Sequence, residues 1–419
     1  MTYFVFRKDF NFATKLFLTI IYAIYFVSRF LGIACFCYDS QRQCAKESWQ
    51  TRLYSGCLVL IVLAFMPFAI RILFLRQNLL LTYVGYIRYG MMLLCALATL
   101  YMQMHYRRAI MDCVNKMLES RDILQMNINH DNRSHKRVIW NIMAKCLTIM
   151  LQLLWIIFLI LNDEASKRLW YLVTLLYVQY CQLILVTTLN LLFYGSWVMT
   201  LITQQLNHNL RDNLKQLKCL TYHRTGYHQY RQQYLCHQLE QVMQQHWQMF
   251  KLSGTFLHLY CWQIVCFLTF VIIECVTQIF IMYFVAVDIC NQEGVAEWND
   301  EEHENKHGVL INPYALLYVF GIIWDMFLIL LMIDEMRLSF AETRFILASA
   351  VWLKSLLSAA NQTLDKCLSH FNLYLLHLQP CVSYTACVLF TFNKHLILRL
   401  LESIFLYLLL LIQFDIIIN

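Results

Sequence analysis

Two acidic side chains stand inside long apolar stretches of this chain, where an ionised carboxylate is costly. Glu274 and Asp325 each lie about thirteen residues from one end of such a stretch, so at ~1.5 Å per residue they sit at similar depth, roughly 20 Å down. A carboxylate in such a place usually faces a cavity, a partner or water. Glu274, with Gln278 one turn on, therefore predicts either a pocket for a cationic or hydrogen-bonding ligand, or an ion pair, for which Arg88 is the candidate partner.

A third polar group, Gln413, follows an unbroken apolar run close to the last residue. An unsatisfied amide in hydrocarbon costs several kcal/mol, so this side chain needs water or a partner. If Gln413 faces a water-filled path, the helical repeat places Leu406 and Leu410 on the same face, where a ring of leucines blocks ions by dewetting. The alternative is an amide that hydrogen-bonds across a helix interface. The pattern alone leaves both open.

Aromatic side chains recur in the apolar stretches, and Tyr180, Trp262 and Tyr318 are the preferred candidates for a ligand pocket. A mostly apolar, aromatic pocket with a few polar groups suits small organic ligands. Tyrosine and tryptophan are also common at membrane interfaces and in helix packing, which is the alternative for each of them.

The composition predicts an all-α integral membrane protein. The chain is 60% hydrophobic and 14% charged, whereas soluble proteins carry roughly 25% charged residues. A transmembrane helix needs about 20 mainly apolar residues. Segments that approach this length are 16–38, 54–75, 79–104, 138–161, 169–202, 252–287, 311–333 and 396–414. No nucleophile–base pair or metal-ligand cluster emerges, so we expect no enzyme, cofactor or metal site.

The charges of the loops predict the orientation. The linkers 105–137 and 203–251 are basic, whereas 288–310 is acidic, and basic loops stay cytoplasmic. This distribution also accounts for the net charge of +7 without a nucleic acid. Both flanks of 16–38 are basic too, so we expect this segment to re-enter or lie at the interface, with a break near Gly32. Seven spans remain, with a cytoplasmic N-terminus and an extracellular C-terminus.

The linker 203–251 is predicted to be helical over 206–220 and 235–250, which continue the neighbouring spans into the cytoplasm. The predicted organisation is a cytoplasmic N-terminus with the re-entrant segment (1–53), spans one to six with the ligand-binding region (54–334), a cytoplasmic anchor helix and the start of span seven (335–395), and a pore-lining helix with an extracellular tail (396–419).

The end of the chain resembles the terminal signature TYhhhhhQF of insect gustatory receptors, in which h is an apolar residue. Tyr407, five apolar residues, Gln413 and Phe414 match it, with Leu406 in place of the threonine. Two further stretches are similar to that family, which is related to the insect odorant receptors. One is Tyr22 through Gln41, with its Leu31-Gly32 pair, although the usual proline near it is missing. The other runs from Gln379-Pro380 to Phe414, although Val388 stands where a glycine is usual, and Trp324-Asp325 is also similar.

The resemblance implies a tetrameric, ligand-gated, non-selective cation channel in the plasma membrane of gustatory receptor neurons, built as a homo- or hetero-tetramer with other gustatory receptors. The last helix of each subunit then lines the pore, which favours the pore interpretation of Leu406, Leu410 and Gln413. Tyr407, Phe414 and Asp325 become structural motif residues. The implied ligand is a small organic tastant, often a bitter compound, and the other partner is the lipid bilayer.

Two other functions remain as alternatives. A seven-span receptor that signals through G proteins is disfavoured by the predicted orientation and by the lack of an acidic-Arg-aromatic motif after span three. A membrane transporter typically shows repeated halves and helices broken by glycine or proline, and ten glycines with three prolines give little of either.

Overall fold

The protein is described from a computed structural model of the chain. The structure describes residues 12–39, 41–42, 44–73, 79–120, 132–162, 169–220, 226–296, 313–357, 369–370, 373, 385–386, 390–391 and 395–418.

Helices dominate the described residues. They are α1 (Phe12–Phe30), α2 (Trp49–Leu73), α3 (Leu79–His105), α4 (Arg107–Glu119), α5 (Asn132–Asn162), α6 (Leu169–Leu220), α7 (Gly226–Ala296), α8 (Pro313–Leu357) and α9 (His395–Ile418). The strands form two antiparallel pairs, β1 (Phe36–Asp39) with β2 (Cys44–Glu47), and β3 (Thr385–Ala386) with β4 (Phe390–Thr391).

The predicted apolar segments from 54–75 to 396–414 are helical wherever the structure describes them. In the part of the chain that the structure describes, six helices are long and apolar enough to cross a membrane, namely α2, α3, α6, α7, α8 and α9. In α5 the apolar stretch found among the described residues is Ile139–Trp155, which is shorter. The fold is therefore all-α with six to seven candidate spans. This agrees with the predicted segments 54–75 to 396–414.

The N-terminal segment 16–38 is not one continuous helix: it is broken near Gly32, as expected. Helix α1 ends at Phe30, and Gly32 adopts a φ of 77°, a left-handed conformation that only glycine adopts readily. The amides of Ile33 and Ala34 then donate to the carbonyl of Ser28, at 2.8 and 3.1 Å, which turns the chain back on α1. The apolar helix Leu18–Phe30 is shorter than the ~20 residues of a span.

A hairpin follows this turn, and the sequence reasoning did not predict it. Strand β1 pairs with β2 in the register Phe36 with Glu47. Tyr25 of α1 ties the hairpin to the helix, because its hydroxyl accepts from the amide of Tyr38 at 3.0 Å and donates to the carbonyl of Phe36 at 3.3 Å. The hairpin and α1 thus form one folded unit.

Helices α6 and α7 extend through the linker 203–251, as predicted: α6 runs on to Leu220 and α7 begins at Gly226. Polar contacts join this end of α6 to α8. The Asn207 side chain donates to the carbonyl of Ser339 at 2.8 Å and accepts from the hydroxyl of Thr343 at 2.7 Å. Arg211 pairs with Glu342 close by. A polar seam therefore holds the ends of α6 and α8 together.

The apolar core surrounds α6, which contacts α1, α2, α3, α5, α7 and α8. Helices α6 and α7 approach closely at Gly195, where an added Cβ would lie 2.3 Å from the Phe256 ring. Among the described residues the cysteines form no disulfide, and no group of three side chains is arranged to hold a metal ion.

Candidate functional site

A buried ion pair joins α3 to α7. Arg88 binds Glu274 with two parallel hydrogen bonds, from Nε to Oε2 at 2.6 Å and from Nη2 to Oε1 at 2.5 Å. The Glu274 side chain is 2% exposed and that of Arg88 is 15% exposed. The fork of a guanidinium matches the two oxygens of a carboxylate, so this geometry is the strongest that such a pair adopts. The predicted partner of Glu274 is confirmed.

Three further polar side chains complete the site, and with the ion pair they form what we name the Arg88–Glu274 cluster. Gln278 donates to Oε1 of Glu274 at 3.0 Å. On α8, the hydroxyl of Tyr318 interacts with Glu274 and accepts from the amide of Gln182 of α6 at 2.6 Å. Four helices thus each contribute to a single polar network.

An aromatic wall lies beside the cluster. The ring of Tyr318 stacks on that of Trp155 of α5, with centroids 5.3 Å apart, and Arg88 lies over the ring of Tyr89 at 5.1 Å. Since Arg88 and Glu274 neutralise each other, the network carries no net charge. Its chemistry is therefore that of amide and hydroxyl hydrogen bonds next to aromatic faces.

The predicted ligand-binding residues fall into two groups. Glu274, Gln278 and Tyr318 lie together in the cluster. Tyr180 instead donates its hydroxyl hydrogen to the carbonyl of Leu31, at 3.1 Å, beside the turn after α1. Trp262 is exposed at the surface of α7, three turns before Glu274. Gln182 was missed, although an amide inside the apolar segment 169–202 was a visible signal.

Asp325 of α8 has its own buried partner. Its Oδ1 accepts from Nζ of Lys145 at 2.5 Å and from the hydroxyl of Thr148 at 2.8 Å. Lys145 is fully buried on α5 and also lies 5.1 Å from the Phe193 ring centre. A satisfied pair between α5 and α8 fits a structural role for Asp325.

The two carboxylates do not share one level, unlike the prediction. Glu274 lies beside Tyr318, and Asp325 is two turns, or roughly 10 Å, further along α8. The estimate failed because it assumed that the apolar stretches of α7 and α8 end at one level. Glu274 lies thirteen residues before 287, but it lies level with Tyr318, which is only five residues after the start of α8 at Pro313.

Helix α9 buries one stripe and leaves the rest of its surface uncovered by its own chain. Leu396, Leu400 and Ile404 are buried, and α9 packs mainly against α7. Leu406 is 56% and Leu410 48% exposed, and Gln413 is exposed as well. At ~100° per residue, these last three fall within about 60° of one another and roughly opposite Ile404.

The remaining motif residues of α9 have other surroundings. Tyr407 and Phe414 are exposed and share a flank of the helix, about 20° apart and between the buried stripe and the face that carries Gln413. Asp415 is buried on the side of Ile404. Its carboxylate therefore belongs to the packed face of α9.

Comparison with known families accounts for this architecture. Residues 21–418 match the family described as "7tm Chemosensory receptor", which is nearly the whole chain. The chain belongs to this family. It is a family of chemosensory receptors and not of enzymes, and its members are multi-pass membrane proteins.

This chemosensory receptor is similar in sequence to a curated relative and in fold to a solved structure. It is 26% identical over 405 residues to "Putative gustatory receptor 77a" of Drosophila melanogaster, covering 89% of this chain and 86% of the relative. Its fold is similar to that of the insect olfactory receptor OR5 from Machilis hrabei, with a TM-score of 0.61 and 12% identity. That match covers 96% of this chain and all of the other.

Proposed function

We propose that this chemosensory receptor is a gustatory receptor that acts as a ligand-gated, non-selective cation channel. In this proposal four chains, of one or several gustatory receptors, assemble in the plasma membrane of gustatory receptor neurons. A small organic tastant, such as a bitter compound, opens the pore.

The geometry of α9 carries the proposal. This helix is packed by its own chain on one side, while Leu406, Leu410 and Gln413 lie together on the opposite, uncovered side. Around a central axis, the leucines of four such helices form an apolar constriction, which stops ions because water leaves it. The amides of Gln413 form a neutral polar ring at one end of it. Tyr407 and Phe414 flank this face and contact neighbouring subunits.

The Arg88–Glu274 cluster is the proposed ligand site. Because its charges are already paired, it favours a neutral ligand that donates and accepts hydrogen bonds over a cation. Gln278, Tyr318 and Gln182 are the groups that exchange partners with such a ligand, and Trp155 supplies an aromatic face. Tyr180 and Trp262 remain predicted contacts that lie outside this cluster.

The proposed topology is testable on its own. With the N-terminus and the linkers 105–137 and 203–251 in the cytoplasm, the end of the chain is extracellular. A glycosylation tag placed after Asn419 should be modified, while the native sequons at Asn132 and Asn361 should stay bare. A bare tag with glycan at either native sequon would reverse the orientation and favour the alternative receptor or transporter.

Whole-cell recording tests the channel and its pore residues. Ligand-evoked current in cells without added G-protein coupling supports a channel over both alternatives. We expect Leu406→Ala to raise the current without ligand, because it widens the constriction, and Gln413→Ala to change ion permeation or divalent block. Leu401→Ala is the matched control, since this exposed leucine lies on another side of α9. Equal effects of the two leucine variants would contradict the pore assignment.

A further inference from the structure

An apolar cavity lies away from the Arg88–Glu274 cluster, at the junction of α1, β1, α4, α6 and α7. Its volume is about 240 Å³. Ile21 and Tyr25 of α1, Ile110 of α4, Val198 of α6 and Phe256 of α7 are among its lining residues. A cavity of about 150 Å³ holds benzene, so in proportion this one holds roughly ten carbon atoms. We name it the α1 cavity.

The lining of the α1 cavity is almost entirely apolar. Among its lining residues, Tyr25 has its hydroxyl bonded to the backbone of Phe36 and Tyr38, and the Tyr260 hydroxyl interacts with Gln103. A cavity whose lining is almost wholly apolar stays dry or takes an apolar molecule. Tyr22, an exposed residue of α1, also lines it, so the cavity reaches the surface of the protein.

A second, polar cavity of about 600 Å³ adjoins it between α4 and α7. Cys113 lines both cavities, and Leu252 and Thr255 of the polar cavity lie within the one helical turn before Phe256 of the apolar cavity. We name it the head-group cavity. Its charged residues are two lysines and two acids: Lys116, Lys251, Asp112 and Glu119.

We propose that the two cavities together bind one zwitterionic phospholipid of the leaflet that borders α4. One acyl chain fills the α1 cavity. The phosphate of the lipid pairs with Lys116 and Lys251, and the ammonium of its head group pairs with Asp112 and Glu119. The apolar cavity fits a chain of about ten carbons, and the balanced charges fit a head group that carries both signs. This site lies at a different place from the proposed tastant site and from the pore, and the proposal does not rest on the proposed function.

Native mass spectrometry of the full-length, delipidated receptor tests the proposal. The probe is phosphatidylethanolamine with ten-carbon chains, and decanoate and the matching phosphatidylglycerol serve as comparison ligands. We expect one phosphatidylethanolamine per chain, bound more tightly than either comparison ligand.

Two variants locate the lipid. Val198→Phe fills the α1 cavity, and displacing even two methylenes should weaken binding about tenfold. Lys116→Gln changes the exposed rim of the head-group cavity without touching the core, and should weaken binding by about two- to fivefold. The matched controls are Leu63→Phe on the exposed face of α2 and Lys215→Gln on α6, which should bind as the unchanged receptor does.

The outcomes separate the parts of the proposal. Unchanged binding in Val198→Phe, or equal losses in the control variants, would overturn the chain site. Decanoate or phosphatidylglycerol binding as tightly as phosphatidylethanolamine would overturn the zwitterionic head group. A receptor that binds the lipid as expected but shows no ligand-gated current would contradict the channel proposal and leave the lipid site standing. The two proposals can therefore fail separately.

Discussion

Removing one charge of the Arg88–Glu274 pair should cost far more than removing both. In Arg88→Met the Glu274 carboxylate, 2% exposed, keeps only its hydrogen bonds to neutral partners. Breaking a buried ion pair on one side typically costs about 3–5 kcal/mol, whereas replacing both partners by apolar side chains is often close to neutral. We therefore expect Arg88→Met and Glu274→Met to destabilise the receptor, and the double variant to recover most of the loss.

The magnitude translates into a measurable shift. An unfolding entropy of ~2.1 cal/mol/K per residue gives about 0.9 kcal/mol/K for a chain of this length, so each single variant should lower the thermal midpoint by roughly 3–6 °C. The assay is the loss of the monodisperse peak in size-exclusion chromatography after heating detergent-purified receptor. Both single variants and the double variant are measured together with the unchanged chain.

An exposed ion pair provides the control. Arg211 and Glu342 join α6 to α8 with side chains that are 44% and 41% exposed, and such pairs contribute at most about 1 kcal/mol. Arg211→Met should therefore shift the midpoint by about 1 °C or less. If Arg88→Met is no worse than Arg211→Met, or if the double variant loses as much as the two single variants together, the account of a buried, coupled pair is refuted.

Three further predictions follow from local contacts. Gly195→Ala should destabilise the receptor by about 1–3 kcal/mol, since its Cβ would meet the Phe256 ring at 2.3 Å, and adding Phe256→Leu should restore the thermal midpoint. The side-chain hydrogen bond from Lys46 holds the pKa of Asp39 below its usual value, so its contribution to hairpin stability is present above the ordinary aspartate pKa and lost as the pH falls through the lowered one. Protection of the β1 amides from hydrogen exchange should therefore decrease as the pH falls through this range. In Lys46→Met the same pH dependence should be smaller. Burial raises the pKa of the Cys113 thiol to about 12, so site-resolved mass spectrometry at pH 8 should find it alkylated more slowly than the exposed thiols.

The spans could be predicted because a membrane helix needs a long apolar run, so the position and length of each run indicate where a helix lies. The continuation of α6 and α7 through the linker 203–251 was also predicted, since its apolar positions keep the helical spacing. The partner of Glu274 was predictable because few cations are available at membrane depth, and Arg88 is one of them.

The parts that the sequence did not reveal depend on packing between distant segments. Lys145 stands as a single charge in the apolar segment 138–161, but nothing local tells which carboxylate it meets across the bundle. The partner of Gln182 could not be predicted for the same reason, because the Tyr318 hydroxyl is 136 residues away along the chain. The β1–β2 hairpin consists of two four-residue strands, too short for an alternating pattern to stand out. The face of α9 could be computed from its periodicity, but whether that face meets water depends on other copies of the chain.

Helix α7 is continuous over 71 residues, or roughly 107 Å. It carries Phe256 of the α1 cavity, Glu274 of the Arg88–Glu274 cluster and the surface on which α9 packs. A displacement of this helix therefore moves residues of the α1 cavity, of the Arg88–Glu274 cluster and of the contact with α9 together. Thermodynamic linkage then imposes reciprocity: if a bound lipid changes the affinity for a tastant by some factor, the tastant changes the affinity for the lipid by the same factor. Under both proposals, the membrane around this receptor acts as a co-effector, and its composition shifts the tastant concentration that opens the channel.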